Sequence, residues 1–285
     1  MWKRVRPENA LVPGRRGVLG SPLAREGRPQ RREQWEDAVQ ERAVDIQTPD
    51  GVMNSYVFHP DRAGPFPVVL FYMDSMGVRE ELCDMARRIA TVGYYVLLPN
   101  LYYRMVRSAD LDANRLNDPA YAEGLALMWK LNRSLSNTMI ESDTQAMLDF
   151  LDGEPAARPG KLATVGYCMA GRFVFRVAGT FAARVVASAS FYGARLITDL
   201  PDSAHLAAPG ITGEMYFGCA EHDSYVPTGT LEHLQRIIDE AGINARIEIY
   251  PEAEHGFAFP TRRLFHKTSS ERHWERLFEM FQRNL

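Results

Sequence analysis

The sequence predicts an α/β fold: a mostly parallel central sheet with helices on both faces. Three observations lead there. From Val44 onward, short apolar runs alternate with stretches of helical spacing, the pattern of a sheet built from strand–helix units. The run Val68-Val69-Leu70-Phe71 is apolar without alternation, as expected of a strand covered on both sides. The residues best suited to chemistry follow the ends of such runs, where open α/β sheets assemble their sites.

In chain order, the strand-like runs are Ser55–His59, Pro67–Tyr72, Tyr94–Pro99, Ala163–Tyr167, Arg184–Tyr192, Met215–Gly218 and Ala245–Tyr250. The earliest, in Asn54–His59, fits an antiparallel edge. Helical spacing marks Glu80–Val92, Ser142–Leu151, Arg172–Thr180, Thr228–Ala241 and Glu271–Phe281. The segment Arg104–Ile140 is long for a connection. Its Tyr121, Leu125, Met128, Trp129 and Leu131 predict helices over the C-terminal edge of the sheet, mostly core, with a few residues lining a pocket. No repeat or Gly/Ser linker divides residues 41–285, which are expected to form one domain. Residues 1–40 read as a separate basic arm. Nine Lys or Arg stand against three Glu up to position 33, and Pro7, Pro13, Pro22 and Pro29 interrupt it. Without apolar periodicity such a stretch is expected to be poorly ordered. A targeting segment or a binding arm are the alternatives.

Composition narrows the function. With 46% hydrophobic and 24% charged residues and a net charge of -3, the chain is an ordinary globular sequence without a global basic field for nucleic acid. No apolar run approaches the roughly 20 residues of a membrane helix. Cys83, Cys168 and Cys219 are too few and too irregular for a disulfide framework or a zinc site, so a reducing cytoplasm is expected. The Gly153…Gly160-Lys161 stretch precedes a strand instead of following one and has Leu162 where a phosphate loop has Ser or Thr.

Gly166-Tyr167-Cys168-Met169-Ala170-Gly171 closes a strand and opens a helix. This is the nucleophile-elbow pattern lengthened by one residue, with cysteine as nucleophile. Its glycines suit a sharp turn that lifts the side chain, and the helix N-terminus favours a thiolate. A buried structural cysteine is the plainer reading of the same residue. An acid and a histidine follow in the order this fold requires. Asp223 lies in Gly218-Cys219-Ala220-Glu221-His222-Asp223, and Glu221 competes with it for the role. His255 lies in Tyr250-Pro251-Glu252-Ala253-Glu254-His255.

These pieces resemble the dienelactone hydrolase family of α/β-hydrolases. The likeness runs from about Val44 to Leu285. It rests on Gly166-Tyr167-Cys168 with Gly171, Asp223…Val226-Pro227, His255-Gly256-Phe257, Pro99-Asn100-Leu101-Tyr102 and Arg272-His273-Trp274-Glu275-Arg276-Leu277. The resemblance implies a Cys168–His255–Asp223 triad hydrolysing a small ester or lactone without cofactor or metal. It implies backbone N–H groups of Ser75 and Met169 for an oxyanion. It places Asp74 where the family has a glutamate near the nucleophile, and Arg104 where an arginine helps hold a substrate carboxylate. Two departures stand out: Gly256 and Phe259 replace a serine and an arginine, and Asn100 replaces an aspartate. An apolar Phe259 in place of a cation leads to an expected preference for neutral esters, with Asp74 pairing, if anywhere, with Arg104. Alternatively, Arg262 or Arg263 supplies the missing cation. A small-molecule substrate is the expected partner, with neither nucleic acid nor membrane, in a monomer or homodimer. A non-catalytic binding fold and a thiol redox sensor are the competing readings.

Overall fold

The computed structural model describes residues 38–285. Eight strands form one sheet: β1 (Val39–Thr48), β2 (Gly51–Pro60), β3 (Phe66–Tyr72), β4 (Tyr95–Pro99), β5 (Ala157–Tyr167), β6 (Val185–Phe191), β7 (Glu214–His222) and β8 (Ala245–Glu254). Their order is β1-β2-β4-β3-β5-β6-β7-β8. β1 pairs antiparallel with β2, and β2 antiparallel with β4; all later pairings are parallel. The helices are α1 (Glu80–Thr91), α2 (Ala122–Arg133), α3 (Asn137–Asp152), α4 (Ala170–Thr180), α5 (Thr230–Ala241) and α6 (Lys267–Asn284). This is the α/β architecture that the sequence predicts.

Side-chain alternation along β3 shows how the two faces are filled. The Tyr72 hydroxyl meets Thr144 of α3 at 2.8 Å. On the other face, its neighbour Phe71 packs on Tyr167 at 5.7 Å between ring centroids, and the Tyr167 hydroxyl meets His273 of α6 at 3.0 Å. α3 and α4 pack together on the first face. α1 and α6 meet on the second, where Arg88 lies over Trp274. Burial holds His273 well below the ordinary imidazole range, at about 3, so it serves as a neutral core residue.

The described chain differs from the sequence expectation in several places. β5 begins at Ala157 instead of Ala163, so that Gly160 and Lys161 lie within a strand they were expected to precede, and α6 begins at Lys267 instead of Glu271. β1 carries no marked apolar pattern: only Ile46 of its ten residues is buried, and Glu41, Arg42 and Asp45 are exposed. Charged residues suit an outer strand because they discourage pairing with another chain, and they also hide the strand from a hydrophobic pattern. β2 is consequently an inner strand, and β1 is the edge. β1 begins at Val39, before the expected boundary at 41; the rest of the expected arm, residues 1–37, lies outside the described residues. Finally, α3 starts at Asn137 instead of Ser142. The Ser136 hydroxyl accepts from Met139 N and so caps a first turn whose apolar residues are few.

Candidate active site

Cys168 occupies the single residue between β5 and the helical start at Met169. Its φ is +56°, in the left-handed region that non-glycine residues seldom adopt. The turn is held from both sides: Cys168 N donates to Phe191 O at 3.0 Å, and Cys168 O accepts from Gly171 N at 3.1 Å and Ala194 N at 3.0 Å. Its flanking glycines are required by space. A Cβ at Gly166 would lie 2.6 Å from Ala170 O, and one at Gly171 would lie 2.4 Å from Gly193 Cα. The extra residue in the motif thus places Gly171 where α4 meets the loop after β6.

Asp223 and His255 follow β7 and β8, and parallel pairing of those strands brings them together. His255 Nδ1 lies 2.9 Å and 2.8 Å from the two Asp223 carboxylate oxygens. Glu221 points elsewhere and accepts from Glu252 N at 2.7 Å. His255 Nε2 is buried without a hydrogen bond of good geometry among the described residues, and its electrostatic neighbour is the Cys168 thiol. Burial alone would push that thiol up, but the facing His255 imidazole outweighs it and the net displacement is downward. Burial pulls His255 down, whereas Cys168 and Asp223 push it up, leaving it at about 9. Together the shifts favour a thiolate beside an imidazolium.

Ser75 follows β3, with its hydroxyl 3.6 Å from the Cys168 sulfur. Its carbonyl accepts from Tyr102 OH at 3.0 Å, which fixes the loop. Neither Ser75 N–H nor Met169 N–H donates to an acceptor among the described residues. Two free donors therefore flank the thiol at the start of a helix, an arrangement that can hold developing negative charge.

Comparison with known proteins places the chain in a family. The sequence model of the dienelactone hydrolase family matches residues 53–285. The chain belongs to the dienelactone hydrolase family. Two curated relatives bear the name "Putative carboxymethylenebutenolidase". The one from Synechocystis sp. is 27% identical over 236 residues, covering 81% of this chain and 91% of its own. The one from Methylorubrum extorquens is 29% identical over 248 residues, covering 84% and 79%. A solved structure called "Putative Dienelactone Hydrolase" from Klebsiella pneumoniae has a TM-score of 0.74 at 23% identity, covering 86% of this chain and 99% of its own; that likeness shows the fold.

Three positions suggested by the family resemblance stand differently in this family member. Arg104 does not line the cavity at Cys168. It makes a double hydrogen bond to the fully buried Asp143, at 2.9 and 2.7 Å, and a further bond to Asp50. Two carboxylates, Asp143 and Asp50, already hold its guanidinium. Asp74 is fully buried and pairs with Arg79 at 2.7 Å and Arg262 at 2.6 Å, not with Arg104. Burial raises Asp74, but the two guanidiniums win and hold it below the ordinary carboxylate range. Phe259 is fully buried and does not face the cavity. Its ring supports the guanidiniums of Arg79 at 4.9 Å and Arg262 at 4.7 Å, a cation–π platform.

Arg262 does reach the cavity, as the alternative expectation had it, whereas Arg263 lines only an adjoining hollow. Asn100 donates from its amide to Asn54 Oδ1 and to Val106 O, at 3.0 and 2.9 Å, and accepts from Tyr102 N. An aspartate could not make those donations, so the change belongs to loop architecture. Several site residues were missed by the sequence reading. Tyr225 lies tilted against the His255 ring at 4.5 Å between centroids, Tyr192 lies edge-on at 5.1 Å, and Arg133, Arg172 and Arg195 share the cavity wall. Only Arg172 carried a signal, its place directly after the elbow glycine. In α2, Met128 and Leu131 are buried and Trp129 lines the cavity.

Proposed function

We propose that the protein is a cysteine-dependent hydrolase of small carboxylic esters or lactones, working through an acyl-enzyme. Cys168 thiolate adds to the ester carbonyl carbon, and the oxyanion is received by the N–H groups of Ser75 and Met169. As the tetrahedral intermediate collapses, the C–O bond breaks and protonated His255 delivers its proton to the leaving oxygen. Neutral His255 then takes a proton from water. The hydroxide attacks the thioester, and the thiol is released as the acid leaves. Asp223 positions the imidazole through Nδ1. In a lactone the leaving oxygen stays attached to the product, so one ring opens and no fragment departs.

The observation that carries this reading is the geometry: Cys168 is held at an elbow with a φ of +56°, and His255 beside it is bound through Nδ1 by Asp223 at 2.8 Å. A purely structural cysteine requires neither. The test is steady-state hydrolysis of p-nitrophenyl esters and lactones by Cys168→Ala, His255→Ala, Asp223→Asn and Glu221→Gln. The first two are expected to lose kcat/KM by orders of magnitude while staying folded, and the double variant to lose little more than either alone. Asp223→Asn is expected to be damaging and Glu221→Gln mild. Near-wild-type turnover by Cys168→Ala would remove the central claim.

A further inference from the structure

The cavity at Cys168 is small, about 140 Å³, and four arginines stand on its wall with no carboxylate side chain among the lining residues. One of them, Arg262, is neutralised by Asp74. Arg172 is not neutralised in this way. It is 4% exposed, and its Nε–H is buried with no acceptor among the described residues. Its Nη2 reaches only the Leu135 carbonyl, at 3.2 Å, and its guanidinium lies over the Phe173 ring at 4.7 Å. The carboxylate that influences it most, Asp202, makes no ion pair with it and instead accepts from Asn137 N at 2.8 Å. Burial, followed by repulsion from Arg195, lowers Arg172 to about 10. Arg195, held at a φ of +57° after β6, and Arg133, at the end of α2, are exposed on the same wall. Burying a guanidinium without a counter-ion is costly, and an anion entering here would remove that cost.

The reaction geometry says which part of a substrate meets this wall. The leaving oxygen must face His255, which stands with Tyr225 and Arg262 where the cavity adjoins a second hollow that contains none of Arg133, Arg172 and Arg195. The oxyanion faces Ser75 and Met169. The substituent left over on the carbonyl carbon is the acyl chain, and the part of the wall that remains for it is lined by Met128, Trp129 and Arg133 of α2 and Arg172 of α4. We propose that Arg172, with Arg195 and Arg133 at the mouth, forms an anion subsite for the acyl side, and that the substrate carries a carboxylate on its acyl chain. This rests on Cys168 being the nucleophile. None of the three arginines stands at Arg104 or Phe259, the positions where the family resemblance puts a carboxylate-holding cation. The subsite therefore replaces the expected preference for neutral esters with a charge requirement on the acyl side.

The experiment compares kcat/KM for p-nitrophenyl hydrogen glutarate and p-nitrophenyl pentanoate, which share a leaving group and acyl length. Wild type is expected to favour the glutarate ester by about tenfold to hundredfold, the range for a charge-assisted hydrogen bond, and the ratio is expected to shrink as salt is raised. In Arg172→Met the ratio collapses, mainly through KM of the charged ester. Arg172→Lys retains part of it, and Arg195→Gln lowers it by a smaller factor. A wild-type ratio near one, or one unchanged in Arg172→Met, overturns the proposal while leaving the hydrolase reading in place. Should Arg172→Met not fold, the doubly substituted Arg133→Gln, Arg195→Gln protein and the salt series decide in the same way. If wild type cleaves neither ester, the hydrolase reading fails, and calorimetry with glutarate still judges the subsite. Binding lost in Arg172→Met upholds it, and no binding by wild type ends it.

Discussion

Burial alone raises a thiol, and it does so for Cys83 and Cys219, which are pushed up to about 11 and about 12, with the nearby carboxylates of Glu80 and Asp223 adding to the effect. Cys168 is displaced downward because His255 faces it. Alkylation by iodoacetamide at pH 7 is therefore expected to stop at one adduct per chain, on Cys168, as read by intact mass and peptide mapping. Labelling of Cys83 or Cys219 at a comparable rate would contradict the assignment. The same pair sets the pH dependence. Activity rises as Cys168 ionises, below the ordinary thiol range. It falls as pH passes through about 9, where His255 loses the proton needed by the leaving oxygen. Asp223→Asn removes one of the influences that raise His255, so the alkaline limb of the kcat/KM profile is expected to move to lower pH.

At the scale of elements, the elbow depends on how closely α4 approaches the loop after β6. Gly171 leaves no room for a methyl group, since a Cβ would lie 2.5 Å from Ser190 Oγ as well as 2.4 Å from Gly193 Cα. Both obstacles are part of, or tightly joined to, the backbone. Gly171→Ala is expected to cost about 1–3 kcal/mol of stability, as overpacking does, and to lower kcat more than KM because the thiol is displaced from its donors. Urea unfolding and steady-state kinetics on the same preparation check both parts. An alanine variant with wild-type stability and turnover would show that the loop yields easily. α2 is a different case: its packing was legible from Met128 and Leu131, but its contribution of Trp129 and Arg133 to the cavity depends on which way the helix is turned.

Across the whole molecule, Arg104 links segments that are distant in sequence. It ties the β1–β2 turn at Asp50 to α3 at Asp143, far along the chain from both. Arg104→Ala leaves Asp143 fully buried with only the Tyr103 hydroxyl, at 2.8 Å, among the partners Arg104 shared with it. Stripping one partner from such a pair costs about 3–5 kcal/mol, so a large fall in the urea midpoint is expected. The ratio of charged to neutral ester turnover is expected to hold, because Arg104 is not on the cavity wall. A selective rise in KM for the charged ester, at unchanged stability, would return Arg104 to substrate binding.

Local pattern determined the strand–helix alternation, the elbow around Cys168 and the order of Cys168, Asp223 and His255. Each of these depends on residues close together in sequence: continuous apolar runs, small residues at a tight turn, polar residues directly after strand ends. β1 escaped notice because a charged outer strand lacks the apolar signal. Only the tertiary structure decided that Asp223 rather than Glu221 meets His255, that Phe259 supports two guanidiniums from below, and that Arg104 faces Asp143. It also decided that Arg172 is buried without a carboxylate partner. These are matters of pairing between side chains from distant segments, and a charge carries no mark in the sequence of which opposite charge will reach it. Direction and burial are set only when the sheet brings the strand ends to one edge.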